Sequence, residues 1–137
     1  MKHAQPRKPR FFAIVLAALL VVSTSGARAE APPALDARVS KVVDGDTFTL
    51  SGESRRIRIW GFDAPEWNHP GGAAATAALR GLISGNRLNC DVLDIDRYGR
   101  LVAQCFLPDG RDVAAEMIRS GVATEYCRYS RGFYGTC

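Results

Sequence analysis

Three features of the sequence predict a small α+β, mainly β fold. Arg56-Ile57-Arg58-Ile59-Trp60 alternates strictly between polar or large and aliphatic residues, the period of a half-buried strand. Two β-rich runs, Arg87–Ile95 and Leu101–Leu107, flank Asp96-Arg97-Tyr98-Gly99, the makings of a hairpin with a four-residue loop. Helical spacing is confined to two short stretches that lie after the third and fifth strands.

The elements follow in order. Residues 30–36, with Pro32 and Pro33, read as a flexible lead-in to a domain at 37–137. Ala37–Val43 has strand composition and ends at the turn Asp44-Gly45-Asp46. Thr47–Leu50 is a second strand, closed by Ser51-Gly52-Glu53. In the third, Ile57 and Ile59 face one side and Arg56, Arg58 and Trp60 the other. A Gly-, Pro-, Asn- and Asp-rich loop covers Gly61–Gly72. Ala75, Ala78, Leu79 and Leu82 then mark a helix over Ala73–Ser84, stopped by Gly85. After the hairpin, Pro108-Asp109-Gly110 turns the chain, and Asp112 caps a helix over Val113–Ser120 that Gly121 ends. An aromatic tail with Tyr126, Tyr129, Phe133 and Tyr134 follows. Three strands, a helix, two strands and a helix describe a five-stranded, partly open OB-fold barrel with two packed helices.

The 137 residues hold 18 Lys and Arg against 14 Asp and Glu. Residues 1–29 take five of those bases and no acid, leaving 13 bases against 14 acids, so the basic excess belongs to the leader. Lys2 to Arg10 is cationic, Phe11–Val22 is apolar, and Ala27-Arg28-Ala29 follows. That is the layout of a secretory signal peptide cleaved near Ala29. Twelve apolar residues span about 18 Å as a helix, short of the roughly 30 Å a bilayer demands. The expectation is an exported protein, periplasmic or secreted, without stable membrane association after cleavage.

An exported chain with an even number of cysteines is expected to form disulfides. Zinc is disfavoured, because no Cys-x-x-Cys exists and His69 is the one histidine after the leader. A four-residue loop pairs Ile95 with Arg100, which sets Cys90 opposite Cys105. Cys127 and Cys137 then pair by elimination, with Gly132 and Gly135 easing closure.

Several chemistries are excluded by composition. One histidine in a Pro-Gly loop builds neither a paired-His ribonuclease site nor a Ser-His-Asp triad, and there is no phosphate-binding Gly-rich loop. Carboxylates and arginines remain: Asp44 and Asp46 on one tight turn, Asp63 and Glu66 just after the Arg58 strand. Such oxygen donors suit Ca²⁺ or Mg²⁺. Arginine, with its planar fork, suits phosphate. Together they are the parts for metal-assisted phosphodiester hydrolysis.

The order of the pieces is more specific. Val43-Asp44-Gly45-Asp46-Thr47, Arg58, Asp63-Ala64-Pro65-Glu66, Asp96-Arg97-Tyr98-Gly99-Arg100 and Ser120-Gly121-Val122-Ala123 together resemble the staphylococcal nuclease family, from about Arg38 to Tyr129. The resemblance implies Asp46, Asp63 and the Ala64 carbonyl as calcium ligands, and Glu66 as the residue that handles the attacking water. It implies Arg58 and Arg100 as the phosphate clamp, Tyr98 beside the phosphate and Tyr129 under a base. Asp44 reads as a turn brace, and Arg56, Arg97 and Arg128 as solvated. The chain departs from the family in a shortened loop, Trp67–Gly72, and in ending before the family's terminal helix would form.

The expected function is a calcium-dependent nuclease acting on DNA and RNA, single strands favoured, as a monomer that leaves 3′-phosphates. The alternative is a catalytically idle OB-fold module that binds single-stranded oligonucleotides.

Overall fold

The computed structural model describes residues 33–137. The leader and its cleavage site lie outside the described residues. The elements are β1 (Ala34–Val42), β2 (Thr47–Leu50), β3 (Ile57–Ile59), β4 (Phe62–Asp63), α1 (Gly72–Ile83), β5 (Arg87–Ile95), β6 (Leu101–Phe106), α2 (Val113–Arg119), β7 (Thr124–Glu125) and α3 (Cys127–Ser130). Five strands close a barrel in the order β1-β2-β3-β6-β5, and β4 pairs with β7 beside it. Within the barrel all pairs are antiparallel except β3 with β6. That is the expected five-stranded barrel, fully closed.

Closure depends on β1, which serves two neighbours. Its first half pairs Ala34–Arg38 with Asp91–Arg87 of β5, and its second half pairs Val39, Lys41 and Val42 with β2. A bulge between Val39 and Lys41 lets one strand turn that corner. The lead-in expected over 30–36 is therefore corrected: from Ala34 onward it is strand. Leu35, Ala37 and Val39 turn inward alternately. Pro33, which has no N–H to offer, accepts the Val92 N–H through its carbonyl at 3.3 Å.

The β5–β6 hairpin reaches the expected cysteine pair by a different path. Asp96 N–H donates to the Arg100 carbonyl and Gly99 N–H to the Asp96 carbonyl, with Gly99 at φ 79°. This is a type I turn followed by a left-handed glycine, and it pairs Ile95 with Leu101 rather than with Arg100. A bulge between Val92 and Asp94 takes up the extra residue and restores Cys90 opposite Cys105. The two are bonded inside the barrel, as Cys127 and Cys137 are at its edge. The core around the first bond holds Phe48, Ile57, Ile59 and Leu101, with Leu79 from α1 and Met117 from α2.

Two glycines decide where the loops near α1 can sit. A Cβ on Gly45 would lie 2.7 Å from Ala75 Cβ and 2.8 Å from Ala64 Cβ, so the Asp44-Gly45-Asp46 turn presses onto both. A Cβ on Gly72 would lie 1.8 Å from the Glu66 carbonyl oxygen. Gly72→Ala is therefore expected to cost about 3 kcal/mol by overpacking. Gly81→Ala, in the middle of α1 with open space around it, should gain about 0.5–1 kcal/mol. Thermal unfolding followed by circular dichroism checks the pair; a Gly72→Ala protein melting at or above the parent would contradict this packing.

Candidate active site

Asp46 ends the turn between β1 and β2. Val43 and Asp44 N–H both donate to the Thr47 carbonyl, and Asp44 Oδ1 accepts the Asp46 N–H at 3.1 Å, the bracing role expected of Asp44. Asp46 is buried, and its carboxylate accepts the Thr47 hydroxyl at 2.9 Å. Burial pushes its pKa up to about 6; Arg58 pulls against that shift and Asp44 adds to it.

Arg58 stands in the middle of β3, between Thr47 of β2 and Val102 of β6. Its Nη2 lies 3.2 Å from Asp46 Oδ2 and 3.2 Å from Asp63 Oδ1. Its Nη1 donates to the carbonyls of Ile59 (2.6 Å) and Phe62 (2.9 Å). One guanidinium thus bridges the two acids, whose facing oxygens lie no further apart than twice 3.2 Å.

Asp63, on β4, keeps an exposed carboxylate. Ala64 is buried against the Gly45 turn, so the backbone after Asp63 runs beside the Asp46 loop. The donor set of Asp46, Asp63 and the Ala64 carbonyl is all oxygen and fits a hard cation. No cluster of three or more His, Cys, Asp or Glu occurs among the described residues, so water would complete such a shell.

Glu66 projects from the turn before α1, where its carbonyl accepts the His69 N–H at 2.9 Å. It lines a cleft of about 670 Å³ with Ser54, Arg55, Arg56, Tyr98, Gly99 and Arg100. None of the ion pairs among the described residues involves Glu66. Arg100 donates through Nε to Asp96 Oδ2 at 2.6 Å and lies over the Tyr98 ring, 5.4 Å from its centroid. A second groove, about 790 Å³, contains Arg58, Tyr98, Arg100, Tyr126, Arg128 and Tyr129 among its walls. Tyr98 and Arg100 form the ridge common to both. The structure therefore brings Glu66, Tyr98 and Arg100 together in one cleft, and Arg58, Tyr98, Arg100 and Tyr129 in the other.

Sequence reasoning missed three parts. Asp96 orients Arg100; an acid four residues before an arginine across a tight turn was the available signal. Tyr126 stacks edge-on with Tyr129 at 4.7 Å. Glu125 organises the tail: its carboxylate accepts from the Ser130 hydroxyl (2.5 Å), Tyr134 N–H (2.9 Å), Thr136 N–H (2.8 Å) and Thr136 hydroxyl (2.9 Å). Its backbone pairs with Phe62, and Thr124 pairs with Asp63. Nothing in the sequence around Glu125 marks it, because its partners are assembled by the tail's fold.

These features, an arginine bridging two acids on an OB barrel beside a cleft with an unpaired glutamate, agree with the comparison with known proteins. The family described as Staphylococcal nuclease homologue matches residues 56–135. The chain belongs to this family. It is 37% identical over 95 residues to an uncharacterized endonuclease of Escherichia coli O157:H7, covering 68% of this chain and 62% of that protein. It is 35% identical over 138 residues to the succinoglycan biosynthesis protein ExoI of Rhizobium meliloti, covering 93% and 69%. It is 41% identical over 96 residues to a probable staphylococcal-like nuclease, CAN1, of Oryza sativa subsp. japonica, covering 70% and 29%. The chain thus spans less than two thirds of the Escherichia coli relative. No helix among the described residues is long and apolar enough to cross a membrane.

Glu125 also gives a pH test of the tail. Burial raises its pKa, but the four hydrogen bonds overcome that and hold it at about 2, below the ordinary 4.5. A depressed carboxylate pKa stabilises the fold above about pH 4.5 and loses that contribution as pH falls toward 2. Denaturant unfolding of the parent and of Glu125→Gln at pH 7 and pH 2.5 should show a stability gap that narrows at the lower pH. An equal gap at both would mean the carboxylate's charge is irrelevant to the tail.

Proposed function

We propose that the protein is an exported, calcium-dependent nuclease that hydrolyses phosphodiester bonds of DNA and RNA, favouring single strands and leaving 3′-phosphates. It acts as a monomer without stable membrane association once its leader is removed. The observation that carries the reading is Glu66. An unpaired carboxylate in a cleft walled by arginines weakens the hold on a polyanion, so a module that only bound oligonucleotides would gain nothing from it. A hydrolase needs it as the group that takes a proton from water. The family and the endonuclease names of its relatives support the same class.

In this reading the scissile phosphate lies on the Tyr98–Arg100 ridge, within reach of Arg58 in one groove and Glu66 in the other. Glu66 orients a water and accepts its proton as the water oxygen bonds to phosphorus. The P–O5′ bond breaks on the opposite side, the 5′ oxygen takes a proton from solvent, and the phosphate stays on the 3′ oxygen. Arg58 and Arg100 stabilise the charge that builds on the phosphoryl oxygens, where a bidentate fork surpasses a point charge. Calcium, held by Asp46, Asp63 and the Ala64 carbonyl, supplies further positive charge there when bound.

Glu66→Gln should lower turnover on single-stranded DNA by roughly 10²–10⁴-fold and leave oligonucleotide binding intact. Asp63→Ala should raise the calcium concentration needed for half-maximal rate, because one of few hard ligands is lost. Cleavage assays with titrated Ca²⁺ and with a chelator read both. A parent that stays inactive with Ca²⁺ on DNA and RNA, or a Glu66→Gln that cleaves as fast as the parent, would favour the idle binding module.

A further inference from the structure

We propose that Arg56 binds a second phosphate of the substrate strand, the one next to the scissile phosphate, and so makes the site prefer oligonucleotides to single phosphodiesters. The inference rests on the nuclease reading of the same cleft. Sequence alternation alone left Arg56 as a solvated strand residue; three observations assign it more.

The first is its lack of a partner. Arg55 is held by Glu53, Arg58 by Asp46 and Asp63, Arg87 by Asp36, Arg100 by Asp96, Arg111 by Asp109 and Arg119 by Glu116. Arg56 enters no ion pair among the described residues, and it is exposed in the wall of the Glu66 cleft. The second is its anchoring. Its carbonyl accepts the Leu101 N–H at 2.9 Å, which fixes the Arg56 backbone beside Arg100 at the start of β6. It lies just before β3, two residues ahead of Arg58, and lines the Glu66 cleft while Arg58 lines the neighbouring groove that shares Tyr98 and Arg100.

The third is the charge balance of the cleft. Glu53 offsets Arg55 and Asp96 offsets Arg100, which leaves Glu66 as a net negative charge facing an incoming polyanion. Arg56 is the one charged wall residue left to cancel it. A guanidinium can also grip two phosphoryl oxygens, so the neutralising group is a specific ligand as well. A substrate with one phosphodiester uses Arg58 and Arg100 and gains nothing from Arg56; a longer strand gains a contact.

The test compares the parent, Arg56→Ala, Arg56→Lys and Arg80→Ala, the last a control on α1 that lines neither cleft. Binding of a fluorescent single-stranded oligonucleotide is measured in chelator across a salt series. Cleavage with Ca²⁺ is measured on that oligonucleotide and on a dinucleotide with one phosphodiester. Arg56→Ala should weaken oligonucleotide binding roughly tenfold, raise KM for the oligonucleotide alike, and leave the dinucleotide kinetics within about twofold. The slope of log affinity against log salt should shrink by about 0.7, one phosphate contact on a single strand. Arg56→Lys should retain the slope, and Arg80→Ala should match the parent. An unchanged slope and KM in Arg56→Ala, or an equal loss on both substrates, overturns the second-phosphate site while leaving the nuclease reading intact. An Arg56-dependent slope in a parent that cleaves nothing does the reverse.

Discussion

The guanidinium of Arg58 is the contact on which the site depends. It reaches Asp46 at the end of one loop and Asp63 on β4, and binds the carbonyls of Ile59 and Phe62 between β3 and β4. Without a cation at that point, Asp46 would be a buried acid with only the Thr47 hydroxyl and the turn around it. Burying such a group is costly unless it is paired, and burial pushes its pKa up against the pull of Arg58. The same geometry limits the chemistry. Arg58 can leave the two carboxylates only where some other positive charge balances them.

Two packing devices hold that region in place. On one side, Gly45, Ala64 and Ala75 meet so closely that the Asp46 loop, the backbone after Asp63 and α1 behave as one layer. On the other, β7 pairs with β4, and the tail folds back over Glu125 with Cys127 and Cys137 bonded around it. Tyr134 completes this side. Its ring lies where a side chain on Gly61 would be, and its hydroxyl donates to Asp112, the N-cap of α2. The strand that carries Asp63 is only two residues long, and its position is set by these neighbours rather than by its own ladder.

The barrel was legible because its signals are local and periodic. Ile57 and Ile59 alternate with arginines and are fully buried, and the two helices fall close to where the spacing of small and aliphatic residues puts them. Ala34–Asp36 was missed because two prolines outweighed an alternation that was present in Leu35, Ala37 and Val39. The hairpin was read with a turn one residue too short, and the cysteines still met because the bulge near Leu93 has no sequence signature of its own. Short pairings such as β4 with β7 depend on tertiary contacts, and local propensity does not register them. In the site, motif order named the acids and arginines that the proposed chemistry uses. It did not reveal that Glu66 and Arg58 open into different grooves joined at Tyr98 and Arg100.

The charge of the folded domain explains why so few side chains must do so much. With the leader set aside, bases and acids nearly balance, and half of the domain's twelve arginines are paired with neighbouring acids. Such a surface has no broad positive field to gather a polyanion, so selectivity rests on the charges left unmatched. Near the cleft these are few: Arg56 on the wall, and Arg97 and Arg128 along the second groove, where Arg97 lies 4.8 Å from the Tyr98 ring centroid. Arginines that are structurally paired keep the acids ionised and the loops fixed. Of the unpaired ones, Arg56, Arg97 and Arg128 line the two grooves that meet at Tyr98. Against a nearly neutral barrel, the unmatched arginines beside Tyr98 are the positive charges that the grooves leave without an acid.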